Sequence, residues 1–411
     1  MSNIYIVGVS MTPFGQYLGR PIKDMTRTVV TDVLADAGAA VDDIEAAWFS
    51  NAAQAILEGQ GSIPGEIALR TMGVQEIPVT NVENACASAS TALDMATTWL
   101  EAGRGGVALA IGAEKMFHED RKKMFSVFDG GWDIQNSDAA MDRLLALGQG
   151  VSDPDGDEDT GQHSVFMDVY AALAKFHMKS FGTSQEEIAY VAAKNHAHSV
   201  HNPLSQYRDA ISVEEVLGAR KVSWPLTLPM CSPISDGAAA ALLCREEELH
   251  RFDSERAIKI RATALRTGSD REPKDFDRHI THLAARDAYG RAGLGPEDMD
   301  VAEVHDATAF AEIQQIENLG FCAFGDGGAL TKSGATSLGG RIPVNPSGGL
   351  ESKGHPVGAT GLAQIYELTT QLRGEAANRQ VEGARFAIAE NGGGFHGIEE
   401  AVACVTILAR D

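Results

Sequence analysis

The chain has 411 residues, of which 44% are apolar and 22% charged, so it can bury large cores and reads as two or three globular units. A net charge of -23 with no basic stripe excludes nucleic acid as a partner and disfavours anionic membranes. The five cysteines (Cys86, Cys231, Cys244, Cys322 and Cys404) form neither a paired framework nor a close C-x-x-C, so neither disulfides nor structural zinc are expected.

The first residues lack a basic leader and pass straight into a strand over 3–9. No apolar run approaches membrane-spanning length, and a soluble cytoplasmic protein is expected. Apolar spacing predicts a helix over 21–39, a short strand over 46–49 and a β-compatible stretch over 77–82. A helix over 86–101 and a buried strand over 106–112 follow. From about 115 to 210 this alternation breaks down, as expected of an inserted loop domain that covers a site. Within it, the acidic run 153–159 lacks the spacing of a calcium loop and reads as solvated. His196 and His198 fall on different helix faces and read as structural or substrate-facing rather than as zinc ligands.

The order then returns: a strand over 258–265, a helix over 280–292 and a strand over 301–304. The passages VVTDVLADAGAAVDDIEAAWFSNAA and LAARDAYGRAGLGPEDMDVAEVHDA share helix, Ala-Gly break, acidic turn and strand. A duplicated α/β unit is inferred, with halves 1–250 (carrying the insertion) and 251–411.

Cys86 stands between a strand and a helix, with small neighbours that let a thioester approach. A thiol at a helix N-terminus is expected to have its pKa lowered below about 8.5. In the second half, Gly354 and Pro356 hold His355 in a rigid turn, suited to take that thiol's proton. His305 lies just past a strand end, where ligands gather in open α/β sheets. The run 392–394 of three glycines after Glu390 and Asn391 would bring backbone N–H groups to an oxyanion, and Glu390, if buried, is a second proton-transfer group. Arg121, Lys122, Lys123, Lys194 and Lys353 are candidates to offset a polyanionic carrier, though each also reads as a surface charge.

Together the Cys86 turn, Lys194-Asn195-His196, Ser235-Asp236-Gly237, His305-Asp306 and the stretch 345–361 resemble the thiolase superfamily, in its sterol carrier protein branch, over the whole chain. That resemblance implies a five-layer αβαβα fold, a homodimer and carbon–carbon bond cleavage or formation on acyl-coenzyme A. No bound cofactor or metal is implied, with coenzyme A as co-substrate. Cys86 would be the acylated nucleophile and His355 its activator. His305 with His355 would form one oxyanion hole, and the backbone N–H groups of Cys86 and Gly392 the other. Two expected thiols are missing. Glu390 stands where ordinary thiolases place a second cysteine, and Ala307 where the sterol carrier branch does. Relatives of this kind also imply a separate OB-fold, zinc-binding partner. The alternatives are an acyltransferase or retro-aldolase on a bulky aromatic or steroid-derived substrate, and a non-catalytic subunit that binds acyl thioesters.

Overall fold

The structure is a computed structural model that describes residues 2–154, 156 and 163–410. The acidic run thus lies mostly outside the described residues; within them, Asp153 pairs with Lys221 at 2.7 Å.

Nine strands form one mixed sheet: β1 (Ile4–Met11), β2 (Ala46–Ser50), β3 (Val79–Val82), β4 (Val107–Glu114), β5 (Gly237–Arg245), β6 (Ile258–Thr267), β7 (Val301–Glu303), β8 (Phe386–His396) and β9 (Glu399–Ala409). Their order is β3-β2-β4-β5-β1-β6-β9-β8-β7. The run β2-β4-β5-β1 has the same pairing senses as β7-β8-β9-β6: parallel, then antiparallel twice. The two runs meet where β1 pairs with β6 through Ile4, Tyr5 and Ile6.

The helices fall into layers. α1 (Ile22–Ala37) buries Met25, Val29, Val33 and Ala37, each four residues from the next, against β1 and β5. Its end is fixed by Gly38 in the left-handed region at φ 67°. α2 (Ser88–Glu101) packs against strands of both runs. Two helices of the insertion follow, α3 (Val165–Phe181) and α4 (Gln185–Ser199). α5 (Ile280–Ala292) covers β6 and β9 on the far side, and α6 (Ala309–Asn318) packs on α3 and α4. α7 (Thr360–Arg373) joins α2 in the central layer, where it is buried along nearly its whole length.

β5 and β9 are the strands that sequence periodicity did not reveal. Ala238 to Leu243 are all apolar and fully buried, because β5 is covered on both faces. A continuous apolar run carries no period of two, so it cannot be told from a buried helix by pattern. The glycines 392–394 continue β8, paired with β9 through Gly392–Ala403 and Gly393–Val402.

Gly361 sets the approach of the two central helices. A Cβ there would lie 2.0 Å from Ser90 Oγ and 2.7 Å from the Ser90 backbone nitrogen. Only a residue without a side chain lets α7 and α2 touch at their first turns. That contact brings the chain segments just before them, holding Cys86 and His355, together. Gly361→Ala should therefore lower stability by roughly 1–3 kcal/mol, the usual cost of overpacking. Urea unfolding reads this directly.

Candidate active site

Cys86 lies two residues before α2 rather than within it. The turn that carries it is tied down locally. Ser88 Oγ accepts from Asn84 N at 2.8 Å and donates to Ala85 O at 2.6 Å, and Ala87 N donates to Asn84 O at 3.0 Å. Ala85 takes a φ of 48°, a left-handed conformation that costs an alanine roughly 1–2 kcal/mol. β8 presses on this turn through Gly393, where a Cβ would meet Asn84 O at 2.5 Å and Cys86 N at 3.1 Å.

Opposite stands His355, with Nε2 3.3 Å from Cys86 Sγ. Its Nδ1 is 2.7 Å from Thr360 Oγ1, and that hydroxyl donates to Pro356 O at 3.0 Å. A hydroxyl that donates elsewhere must accept from the ring, so Nδ1 carries the proton and Nε2 offers its lone pair to the thiol. The His355 backbone is held in turn by Ser235 Oγ at 3.0 Å.

The electrostatics correct the expected thiolate. Burial, then the nearby Glu114 carboxyl, push the Cys86 thiol up to about 12. Burial, then the His305 and Lys353 side chains, hold His355 well below the usual imidazole range. The helix start lies two residues away and supplies no full charge to offset desolvation. The resting pair is a neutral thiol and a neutral imidazole.

His305 completes the cluster. Its ring lies 5.2 Å from that of His355, at an interplanar angle of 62°. It is buried, and among the described residues neither ring nitrogen has a hydrogen-bond partner. Burial lowers its pKa to about 4. The loop that carries it is fixed at successive positions: Val304 N donates to Asn345 Oδ1, His305 N to Glu390 Oε2 at 3.0 Å, and Asp306 accepts from Leu350 N and Asn195 Nδ2. Cys86 Sγ and one nitrogen from each histidine lie within 4.8 Å of one another, a spacing that would also suit a tetrahedral zinc ion.

These three side chains open on a cavity of about 190 Å³. One wall is aromatic and thioether, from Met116, Phe125, Phe128, Phe166, Met167 and Tyr170. Two of its rings also meet the buried Phe395, Phe166 at 5.3 Å and Tyr170 at 5.4 Å. Arg121 and Arg220 also line it. The inserted segment thus supplies much of the chamber above the thiol.

Not every candidate arrives there. Glu390 is fully buried and does not line the cavity; it accepts from His305 N and from Thr281 Oγ1 at 3.3 Å. Burial, then the neighbouring Glu400, raise it to about 8, so it is largely protonated at neutral pH. Gly392 does not line the cavity either; its Cα faces Glu400, and it is the next residue that touches the Cys86 turn. Lys194 and Lys353 are not surface charges. Lys194 pairs with Glu312 at 2.9 Å and Lys353 with Glu303 at 3.0 Å, both buried beneath the His305 loop. His198 is structural, bridging Asn345 O and Leu338 N, and His196 stacks on Tyr207. Cys231 and Ser232 line the cavity and were passed over in the sequence, standing just upstream of the Ser235-Asp236-Gly237 motif.

Two family descriptions match the chain: "Thiolase, N-terminal domain" over residues 4–223 and "Thiolase C-terminal domain-like" over 262–410. The chain belongs to the thiolase family. It is 36% identical over 414 residues to an acetyl-CoA acetyltransferase of Methanothermobacter thermautotrophicus, covering 100% of both chains. It is 37% identical to sterol carrier protein 2 of Oryctolagus cuniculus, across 95% of this chain and 70% of that one. A benzoylsuccinyl-CoA thiolase subunit of Thauera aromatica is 32% identical, with 92% and 91% covered. Among solved structures, an Ltp2-ChsH2(DUF35) aldolase superposes with a TM-score of 0.77 at 23% identity, over 99% of this chain and 97% of that one, which shows the shared fold. As a thiolase, the protein has the α/β architecture that its motifs led one to expect.

The raised pKa of Glu390 has a measurable sign. A carboxyl that titrates at about 8 when folded holds its proton more tightly than in the unfolded chain. Its contribution to stability is complete below about 4.5 and is lost as pH rises through about 8. Glutamine mimics the protonated form and does not titrate. The melting temperature of Glu390→Gln, relative to the parent protein, should therefore climb between pH 6 and pH 9.

Proposed function

We propose that this thiolase is an acyl-CoA C-acyltransferase, cleaving a 3-oxoacyl-CoA with coenzyme A, or running the reverse condensation, through an acyl-Cys86 intermediate. The observation that carries the reading is the 3.3 Å approach of His355 Nε2 to Cys86 Sγ at the floor of the cavity. When a thioester enters, His355 takes the thiol proton as sulfur attacks the 3-oxo carbon. Charge appears on sulfur only as it is consumed in bonding, so the high resting pKa does not prevent attack. The carbonyl oxygen of a thioester then finds His305, whose one ring N–H is free to donate, beside the His355 ring. The backbone N–H of Cys86 serves the tetrahedral centre that forms at the attacked carbon. Glu390 acts as a positioning residue, through the His305 backbone N–H it accepts. Names of similar proteins support coenzyme A thioesters as substrates.

The large aromatic wall favours an acyl group bulkier than acetyl, supported by the benzoylsuccinyl-CoA thiolase subunit among the relatives. A separate OB-fold partner is part of this reading, supported by the word "subunit" in that name and by the DUF35 component named in the structural neighbour. So is a homodimer, because β3 ends the sheet with an open backbone edge. Among the described residues no helix is long and apolar enough to cross a membrane, which accords with a cytoplasmic site of action.

Incubation with acyl-CoAs should add the acyl mass to the Cys86 peptide, and Cys86→Ala should abolish both that label and turnover. Turnover by the alanine variant at the parent rate would overturn the assignment. Thr360→Val removes the acceptor for His355 Nδ1–H and should slow acylation by about tenfold or more, as loss of an orienting partner does. Thr360→Ser should restore most of the rate, and stopped-flow release of coenzyme A measures both.

A further inference from the structure

Carbon–carbon cleavage requires a proton donor for the α-carbon that leaves, and neither position expected to hold that thiol has one. Glu390 points away from the cavity to the His305 backbone and Thr281, and position 307 is an alanine. A thiol from another part of the chain nevertheless lines the same cavity as Ala307. Cys231 bridges to Thr308 in antiparallel register, and Ser232 N donates to Ala307 O at 3.1 Å. Cys231 and Ala307 belong to one packed cluster and both line the cavity that holds Cys86, His305 and His355. The Cys231 thiol makes one long contact, 3.5 Å from Sγ to Thr227 O, at 9% exposure. An independent observation shows that a ligand is expected at this spot: His305, 2% exposed, lines the same cavity with both ring nitrogens unpartnered among the described residues.

We infer that Cys231 is the second catalytic thiol of this thiolase, moving the α-proton from a segment outside the two positions where such a cysteine is expected. The assignment rests on the acyl-Cys86 reading above. The steps balance as follows. Cys86 sulfur bonds to C3 while its proton goes to His355. Collapse of the tetrahedral adduct breaks the C2–C3 bond; the electron pair goes to C2, which takes the proton from Cys231 Sγ, and the C1–C2 fragment departs as its coenzyme A thioester, leaving the shortened acyl group on Cys86. The Cys231 thiolate next takes the thiol proton of incoming coenzyme A, whose sulfur attacks the acyl-Cys86 carbonyl. Cys86 leaves and recovers its proton from His355. Burial raises the Cys231 thiol, so it enters the cycle protonated, as a donor must.

The test compares the parent protein with Cys231→Ala, Cys231→Ser and the double variant C231A/A307C, each with acetoacetyl-CoA and 3-oxo-3-phenylpropionyl-CoA. Two readouts separate the steps: thiolysis, and Cys86 acylation by a simple acyl-CoA, which breaks no carbon–carbon bond. Both single variants should lose about 100-fold or more in thiolysis, the usual scale of general acid–base catalysis, and far less in Cys86 acylation, because a departing coenzyme A thiolate needs the Cys231 proton much less than a departing carbon does. A thiol restored at position 307 should recover a measurable part of thiolysis in the double variant, which a purely structural role for Cys231 would not allow. Thiolysis by Cys231→Ala at the parent rate overturns the assignment and leaves acyl-Cys86 intact. Should the alanine variant fold poorly, unimpaired thiolysis by Cys231→Ser or absence of rescue in the double variant overturns it equally. Absence of Cys86 acylation in the parent protein would instead sink the thiolase reading itself, and this inference with it.

Discussion

A sulfur and an imidazole nitrogen 3.3 Å apart, contributed by residues 269 positions apart in sequence, are the constraint around which this fold is arranged. Neither half of the chain can make that contact alone. The central helices deliver it: each starts just after one of the two reacting groups, and their first turns touch where Gly361 meets Ser90. The strand pairing between β1 and β6 adds a second joint, so the relative placement of the halves is fixed at two separated points. A shift of an ångström at either would open the sulfur–nitrogen contact beyond hydrogen-bonding reach.

Around this contact the protein spends buried charge on rigidity. Glu303, Asp306 and Glu312 lie beneath the His305 loop, each fully buried, and meet Lys353, Asn195 and Lys194 there. Lys194 and Asn195 come from the inserted segment, whereas the acids come from the second half. Ion pairs of this kind contribute little net stability, because desolvation offsets most of the attraction. Breaking one partner is expensive, however, and that asymmetry locks the insertion to the catalytic loops. The walls of the cavity and its reactive floor are thus one rigid assembly.

The sequence showed those parts whose chemistry is local. Strand and helix spacing located most of the layers, and the flanking Gly354 and Pro356 marked His355 as a turn residue with a task. Cys86 stood out by its small neighbours. Four things were not readable. Strand β5 carries a continuous apolar run covered on both faces, and in β9 the apolar run is broken only by Thr406, so neither shows alternation. The state of the thiol depended on burial and on Glu114, which is distant in sequence and adjacent only after folding. Lys194 and Lys353 look like any surface lysines until the acids beneath them are seen. Cys231 was hidden for a similar reason, because its relation to Ala307 is a backbone pairing between segments some distance apart.

The uncharged pairing of Cys86 with His355 also bears on how the protein survives between turnovers. Peroxide and alkylating electrophiles react with ionised sulfur and far more slowly with its protonated form. A nucleophile that ionises only as an acceptor carbon arrives is shielded from such damage while the chamber is empty. Selectivity of this kind needs no lid: the reagent that can use His355 as its proton acceptor is the one shaped to sit in front of it.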